Sequence, residues 1–161
     1  MLAASLRNTE FASLVIKVFV DAAGDLNAIC DEGSTALPRA LAAGNVTIAN
    51  SLLFDYRVDP TLPDENGETA LHYICRYNLP EPELLIQYLA DRGLDVNGQS
   101  LDGTTPLYYA AQYGAINAAR ILFSRGVDPT AKDDREMTPI EIAICGSTWA
   151  CIHLFLEEVE R

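Results

Sequence analysis

Hydrophobic residues between positions 101 and 133 follow a helical spacing in two successive stretches. Leu107, Ala110 and Ala111 fall three and four residues apart, which would place them on one narrow helix face suited to close packing. A second apolar set repeats this spacing a few residues later: Ile116, Ala119, Leu122 and Phe123. The pattern therefore predicts two short helices joined by a tight turn.

The residues around these stretches favour helix ends at defined places. Thr105 is a good N-cap, and Pro106 suits the first helical position, where its missing N–H costs nothing. Gly103 upstream suits a turn, and Gly114 and Gly126 suit the ends of the two helices. The predicted unit is turn, helix, tight turn and helix.

A single unit of this kind cannot bury its own apolar faces, so further copies are expected in the chain. The threonine that begins the first helix recurs at intervals of roughly 33 to 36 residues, as Thr35, Thr69, Thr105 and Thr138. An acidic connector recurs just upstream of each threonine, at Asp25, Asp59, Asp95 and Asp128. Two markers that recur in phase over four units indicate a repeat architecture.

With these motifs the chain resembles the ankyrin-repeat family, whose unit is about 33 residues with a T-P-L-H-x-A motif. The resemblance covers residues 23 to 161 and implies an all-α solenoid of stacked helix-turn-helix units with projecting finger turns. The sequence is interpreted as one domain, 1–161. Its units are a degenerate first repeat at 1–30, then 31–63, 64–100, 101–132 and a terminal unit at 133–161.

Three departures from the repeat pattern carry local expectations. Glu136 stands where the other turns have glycine, so that turn is expected to be altered or strained. The turn at residues 78–83 is expanded and holds two prolines, and we expect it to protrude. Arg57 replaces the glycine that would end the outer helix of the second unit, so this helix end is expected to have a different shape.

The net charge of −12 narrows the classes of partner. Nucleic acids and anionic membranes both need clustered lysine and arginine, so binding to either is not expected. The charge favours a soluble protein, which we expect to be a monomer. If the charge also has a role in binding, the protein partner is expected to have a basic surface. No stretch is long and apolar enough for a membrane span, and the scattered cysteines suit a reducing compartment. The expected location is the cytoplasm, with the nucleus as an alternative.

Residues that could carry chemistry have simpler structural explanations in this pattern. Cys145, Cys151 and His153 are close in sequence, but the repeat puts the two cysteines on different helices, so buried thiols are expected rather than a metal site. His72 is expected to bond backbone groups at a helix start. Catalytic and nucleotide-binding motifs are absent from the sequence, so the chain is interpreted as a non-enzyme without cofactor or metal.

Two acidic pairs and one asparagine also have simpler structural explanations. Asp64-Glu65 and Asp133-Asp134 would fall on finger turns, where solvated carboxylates are expected rather than a catalytic pair. Asn97 lies in a context that resembles the substrate of asparagine hydroxylases, but a hydrogen bond within its own turn is the preferred interpretation.

The resemblance implies that a protein partner binds through the finger turns and the concave face of the inner helices. Mapped onto this sequence, the partner-binding positions are Glu65, Asn66, Glu68, Arg76, Tyr77, Leu101, Asp102, Thr104, Gln112, Tyr113, Asp134, Arg135 and Met137. The same mapping adds positions from the second unit: Asp31, Glu32, Ser34, Ala42 and Ala43.

Two questions about this surface stay open at the level of sequence. Tyr77 and Tyr113 could bind a partner or pack between neighbouring repeats, whereas Tyr73 and Tyr109 are expected to face the core. The predicted function is a non-catalytic protein–protein interaction module that acts as a scaffold. The alternative is a regulatory or docking ankyrin segment of a larger multidomain enzyme or channel.

Overall fold

The computed structural model describes residues 24–29, 33–56 and 58–159. Within these ranges the chain forms eight α-helices arranged as four consecutive pairs, and no β-strand is present. The helices are α1 (Ala36–Ala42), α2 (Val46–Asn50), α3 (Ala70–Arg76), α4 (Pro82–Asp91), α5 (Pro106–Tyr113), α6 (Ile116–Ser124), α7 (Pro139–Cys145) and α8 (Trp149–Val159). The all-α architecture predicted from the sequence is confirmed.

Each inner helix begins at the residue after its threonine, as predicted. Thr35, Thr69, Thr105 and Thr138 are the N-caps of α1, α3, α5 and α7, and all four have extended backbones. The oxygens of Thr105 and Thr138 accept hydrogen bonds from backbone N–H groups three residues later, and Glu141 completes a capping box with Thr138. The anchors that defined the repeat are therefore the residues that fix where the helices start.

The helix pairs stack side by side in two layers. The inner layer is α1, α3, α5 and α7, and the outer layer is α2, α4, α6 and α8, with each helix contacting its partner in the pair. Neighbouring inner helices contact one another along the whole layer, and so do α4, α6 and α8 of the outer layer. Leu71 and Leu107 are completely buried between the layers, as predicted. Because each pair is covered only by its neighbours, the core is a continuous apolar slab along the stack.

The finger turns are joined to one another by backbone hydrogen bonds. The amides of Glu65, Leu101 and Asp134 each donate to a carbonyl of the preceding finger, at 2.8–3.0 Å. Three of these turns use glycine at a left-handed position, and Glu136 takes the same conformation with φ of +62°. The altered turn expected at Glu136 is therefore a strained one, since a residue with a side chain is held where glycine is favoured.

The expanded turn after α3 is only partly surface structure. Pro80 and Glu81 are exposed, but Leu79 is 4% exposed and anchors the turn in the core. Asn78 and Glu81 have positive φ, and Pro82 begins α4. The protruding part is thus confined to the residues around Pro80.

The outer helix of the second unit ends irregularly. After α2 the chain continues as a π-helix, Ser51–Asp55, in which the amide of Tyr56 donates to the carbonyl of Ser51. Arg57, on which the expected change of shape was based, lies outside the described residues. So do residues 1–23 with the predicted first helix pair, and Asp31 and Glu32 of the second finger.

Three expectations about burial were wrong. Cys145 is exposed, not a buried thiol, because it lies at the end of α7 on a side that the described chain leaves uncovered. Asp64 and Asp133 are buried, because the Oδ1 atom of each turns inward to accept hydrogen bonds from two backbone N–H groups of its own finger.

None of the described helices is long and apolar enough to cross a membrane.

Candidate partner-binding surface

Four of the predicted residues lie at the C-terminal ends of the neighbouring inner helices α3 and α5. We call Arg76, Tyr77, Gln112 and Tyr113 the tyrosine strip. They follow the last buried residue of each inner helix, so they face the groove rather than the core. Tyr77 is 46% exposed and Tyr113 is 49% exposed, while Arg76 and Gln112 are half-buried. The two tyrosines therefore do not pack between the repeats, and large parts of both rings are open to solvent.

The strip is bordered by finger turns whose tips are mostly exposed. Glu65, Asn66, Leu101, Asp102, Asp134 and Arg135 are exposed, and Met137 is half-buried. Leu101 is 77% exposed and is an apolar side chain at the tip of an otherwise polar finger. Exposure at these positions agrees with the mapping, and their use in binding stays a prediction.

Two residues assigned to this surface are instead part of the interior. Glu68 is 3% exposed and Thr104 is 4% exposed. Each precedes an N-cap threonine, and the extended backbone there directs the side chain under the finger rather than out of it. The Thr104 hydroxyl is held by Ser100 and donates to Asp102 at 2.8 Å. Ser34, at the same position of the second unit, is buried as well.

Glu68 is the centre of a polar cluster that joins the third and fourth units. The guanidinium of Arg76 donates to both carboxylate oxygens of Glu68, at 2.8 and 2.5 Å. The hydroxyl of Tyr109, from the next inner helix, donates to Glu68 Oε1 at 2.5 Å and also contacts Arg76. Arg76 lies over the Tyr109 ring, 4.2 Å from its centroid. The side chain of Arg76 is thus held in place by two residues of the interior.

The ionisation of this cluster reflects its burial. Burial raises the pKa of the Glu68 carboxyl, an effect that the Tyr109 hydrogen bond and the charge of Arg76 oppose. Burial and the hydrogen bond to Glu68 raise the pKa of Tyr109 to about 12, so this phenol keeps its proton at neutral pH. Because both terminal nitrogens of Arg76 donate to the Glu68 carboxylate, we treat the two residues as an ion pair in the folded protein.

Two further side chains support the same inner helices, the half-buried Tyr73 and the buried His72. The Tyr73 hydroxyl donates to Asp64 Oδ2 at 2.8 Å. His72 accepts the Thr69 N–H at Nδ1, at 3.0 Å, and its Nε2 lies 3.2 Å from the Thr104 carbonyl of the next unit. This geometry requires a neutral ring with its proton on Nε2. Burial lowers the pKa of His72 to about 4, and the structural role expected for this histidine is what the structure shows.

Two cavities open into the groove on either side of the strip. One, of about 410 Å³, is lined by residues of the second and third units: Ser34, Arg39, Ala42, Ala43, Tyr73 and Tyr77. The other, of about 280 Å³, lies under two fingers and is lined by Asn66, Glu68, Arg76, Leu101, Asp102 and Tyr109. Both have a polar rim, and both could accept a side chain of a partner.

The remaining candidates for chemistry do not converge in the described part of the chain. No group of His, Cys, Asp or Glu there could hold a metal ion. Cys145 is exposed at the end of α7, whereas the Cys151 thiol is buried and directed at the carbonyl of Ala110, 3.6 Å away. Asn97 accepts the amide of Asp128 from the next connector, at 2.7 Å, so its side chain joins two turns instead of closing its own.

Sequence comparisons agree with the fold. A family model described as ankyrin repeats matches residues 40–133 in three copies. Human "SH3 and multiple ankyrin repeat domains protein 2" is 30% identical over 112 residues, 70% of this chain and 6% of that protein. "Alpha-latrocrustotoxin-Lt1a" of Latrodectus tredecimguttatus is 30% identical over 130 residues, 80% of this chain and 9% of that protein.

The relatives differ widely in what their names describe. "E3 ubiquitin-protein ligase hecd-1" of Caenorhabditis elegans is 27% identical over 118 residues, 73% of this chain and 4% of that protein. The chain therefore spans less than a tenth of each of these three relatives. The three printed names therefore describe no common activity.

Proposed function

The chain belongs to the ankyrin-repeat family, and from this premise we propose that it is a non-catalytic module that binds a protein partner through its finger turns and the concave face of its inner helices. Repeats of this family are generally protein–protein interaction modules. The observation that carries the proposal is the tyrosine strip, where two half-exposed aromatic rings lie on neighbouring inner helices whose finger turns have exposed acidic residues.

The energetics of such a surface favour binding over a purely structural role. Tyrosine and arginine are enriched among the residues that dominate binding energies, since they bury large areas at low entropic cost. Arg76 and the inner tyrosines are already fixed by Glu68 and Asp64, so less conformational entropy would be lost when a partner binds. The net charge of −12 would speed association with a basic partner and would be screened by salt.

Affinity capture followed by mass spectrometry tests this proposal. The immobilised chain would be compared with a Tyr113→Ala variant and with Leu84→Ala, which removes a side chain that is 76% exposed on α4, outside the groove. Wild type and Leu84→Ala should retain the same partner, and Tyr113→Ala should weaken its binding by more than about 1 kcal/mol, mainly through faster dissociation. Equal binding by Tyr113→Ala, with loss in Leu84→Ala, would move the site to the outer helices.

The second candidate is a docking or regulatory segment within a larger protein. The observation that favours it is the small share of each relative that this chain covers. In that case the groove would be occupied by another region of the same polypeptide rather than by a separate protein. Cross-linking of the full-length gene product, with identification of the peptides joined to the inner-helix face, would separate the two candidates.

A further inference from the structure

The two exposed tyrosines occupy one repeat position in consecutive units. Tyr77 lies eight residues after the N-cap Thr69, and Tyr113 lies eight residues after Thr105. The same position in the flanking units holds small residues, Ala43 and Gly146. The groove therefore presents two aromatic rings at equivalent positions, and the residues on either side of the pair have a small side chain or none.

Each exposed ring is supported from behind by an inner tyrosine. Tyr77 stacks on Tyr73, with centroids 6.0 Å apart and planes at 17°, and Tyr113 lies 6.1 Å from Tyr109 at 32°. The inner hydroxyls donate to Asp64 and Glu68, whereas the hydroxyls of Tyr77 and Tyr113 make no hydrogen bond to a described residue. The strip thus offers two supported aromatic faces and two available hydroxyl donors.

The spacing of the pair matches one extended ligand conformation. The inner helices α3 and α5 pack against each other, and packed helices generally lie about 8–10 Å apart, so we expect about this distance between equivalent positions on the two helices. A polyproline II segment advances about 9 Å in each turn of three residues. Prolines three residues apart would therefore fall on successive tyrosines, one for each repeat.

The hydrogen-bonding groups of the groove fit the same conformation. A polyproline II backbone has no internal hydrogen bonds, its carbonyls all need donors, and its prolines have no N–H to satisfy. The strip supplies donors from the Tyr77 and Tyr113 hydroxyls and from the Gln112 amide. A bound α-helix would leave these donors unused, because its own carbonyls are already paired.

Charge complementarity gives the ligand a second feature. Asp102 is exposed beside the cavity under the fingers, and hydrogen bonds from Ser100 and Thr104 lower the pKa of its carboxyl, so it stays ionised at neutral pH. Only its Oδ1 is used by these bonds. The other oxygen is available to a cation, and the exposed Leu101 side chain next to it suits the aliphatic part of a lysine or arginine.

We propose that the tyrosine strip binds a proline-rich segment of the partner in the polyproline II conformation, with prolines three residues apart on Tyr77 and Tyr113 and a basic residue beside Asp102. This inference rests on the proposed function and specifies the class of partner. Proline-rich segments are recognised elsewhere by aromatic-lined grooves, because the ligand is already ordered before it binds.

The test uses two synthetic peptides of about twelve residues and identical composition. One has proline at every third position and an arginine near one end, and the other has its prolines in adjacent pairs that break this spacing. Titration into the ¹⁵N-labelled chain should shift the amide signals of Tyr77, Gln112 and Tyr113 with the first peptide, at an affinity at least about tenfold higher than for the second. The signals of α8, including Trp149, should not move.

Variants separate the contributions of ring, hydroxyl and charge. Tyr113→Ala should weaken binding of the regular peptide about tenfold or more, and Tyr113→Phe, which loses only the hydroxyl, by a few-fold. Asp102→Asn keeps the Oδ1 acceptor of its turn and removes the charge, so it should weaken binding at low salt and have little effect at high salt. Leu84→Ala is the control and should bind like wild type.

Three results would overturn this inference: equal binding of both peptides, signal shifts confined to the outer helices, or no shift with the regular peptide at about millimolar concentration. Its failure is distinguishable from that of the proposed function. If Tyr113→Ala still loses the protein captured by the wild type, the groove binds a partner of another kind. If Tyr113→Ala keeps that protein as well, both proposals are wrong.

Discussion

The junction between the third and fourth units and the junction between the fourth and fifth are built differently on the same backbone plan. Both have a finger-to-finger hydrogen bond, from Leu101 to Asn66 in the first and from Asp134 to Asp102 in the second. In the first, side chains add a polar cluster that crosses between units, in which Tyr109 contacts both Glu68 and Arg76.

The second junction has no charged cluster of this kind. The positions that Glu68, Arg76 and Tyr109 occupy at the first junction hold Thr104, Gln112 and Ile142 at the second. Contacts that cross between the units there include an edge-to-face contact of Phe123 with Phe155, at 5.3 Å, and the donation of the Thr148 hydroxyl to the Ala111 carbonyl. Among the described residues, this junction therefore has no equivalent of the ion pair between Glu68 and Arg76.

Exposure follows the same division. Ala111 is completely buried six residues after its N-cap threonine, whereas Ile144 at the same position of the fifth unit is 57% exposed, and Trp149 is 74% exposed. The core residues of the middle units are thus covered by neighbouring units and their groove residues are polar, whereas the fifth unit exposes more apolar side chains. The repeat thus fixes the backbone, while a few side chains decide how rigid each part of the groove is.

Truncation of the core should produce the largest effect and should differ between the two regions. Leu107→Ala should reduce the free energy of unfolding by about 2–5 kcal/mol, because Leu107 is completely buried between the layers. Ile140→Ala, at the same position of the fifth unit, should cost less, about 1–2 kcal/mol, because Ile140 is only partly buried. Urea unfolding followed by circular dichroism measures both.

The fluorescence of Trp149 sharpens this measurement, because it is the only tryptophan in the chain and lies in the fifth unit. Since each unit contacts only its neighbours, Leu107→Ala should also shift the Trp149 transition, and the two probes should separate if the stack melts in parts. A loss near zero for Leu107→Ala would mean that the register assigned to the fourth unit is wrong.

Acidification should weaken the junction between the third and fourth units before it affects the junction between the fourth and fifth. His72 crosses from the third unit to Thr104, and its pKa is about 4 in the folded chain against 6.5 in the unfolded chain. Between these values the unfolded state binds the extra proton, so stability is fully present above pH 6.5 and falls as the pH drops towards about 4. The loss at the lower end is about 3 kcal/mol.

Urea unfolding at a series of pH values, with the His72 pKa followed by NMR, tests this expectation. Asp59, Asp102 and Asp128 have lowered carboxyl pKa values, so their contributions are lost only below about pH 4 and do not confuse the upper part of the window. Burial raises the pKa of the Glu68 carboxyl, so this group acts in the opposite direction and offsets part of the loss as the pH falls. An NMR pKa of His72 near 6.5 would contradict the proposed linkage.

The architecture could be predicted because it depends on local and periodic signals. The four threonines at roughly 33 to 36 residue intervals define the helix starts, since capping is a property of a few adjacent residues. The burial of Leu71 and Leu107 follows from the helical period alone. Glu136 could be recognised as a strained position because a missing glycine is visible in an alignment of the units.

The candidate site could be predicted only in part, because burial at the fingers depends on partners in the neighbouring unit. The mapping of the family's exposed finger positions assigns Glu68 to the surface, whereas its inward direction depends on Arg76 and on Tyr109 of the neighbouring unit. One signal was available: the equivalent positions hold Ser34, Thr104 and Met137, none of them charged. Cys145 fails in the opposite way, since its exposure depends on what covers α7.

The turn of the fifth finger should give the smallest effect and tests whether this unit is weaker for reasons of backbone as well as packing. Glu136 is held at φ +62°, where the equivalent Gly103 has φ +77°. A left-handed residue with a side chain costs of order 1 kcal/mol, so Glu136→Gly should relieve this strain, although glycine gains freedom in the unfolded chain and the exposed ion pair with Lys132 is lost. We expect a net stabilisation of about 0.5–1 kcal/mol, measured as an increase in the urea midpoint of Trp149 fluorescence. The matched control is Glu136→Gln, which removes the charge and keeps the strained backbone, and it should change the midpoint little. If Glu136→Gly is less stable than Glu136→Gln, which also lacks the ion pair, the ordering of the turn outweighs the strain, and the weakness of the fifth unit lies in its packing alone.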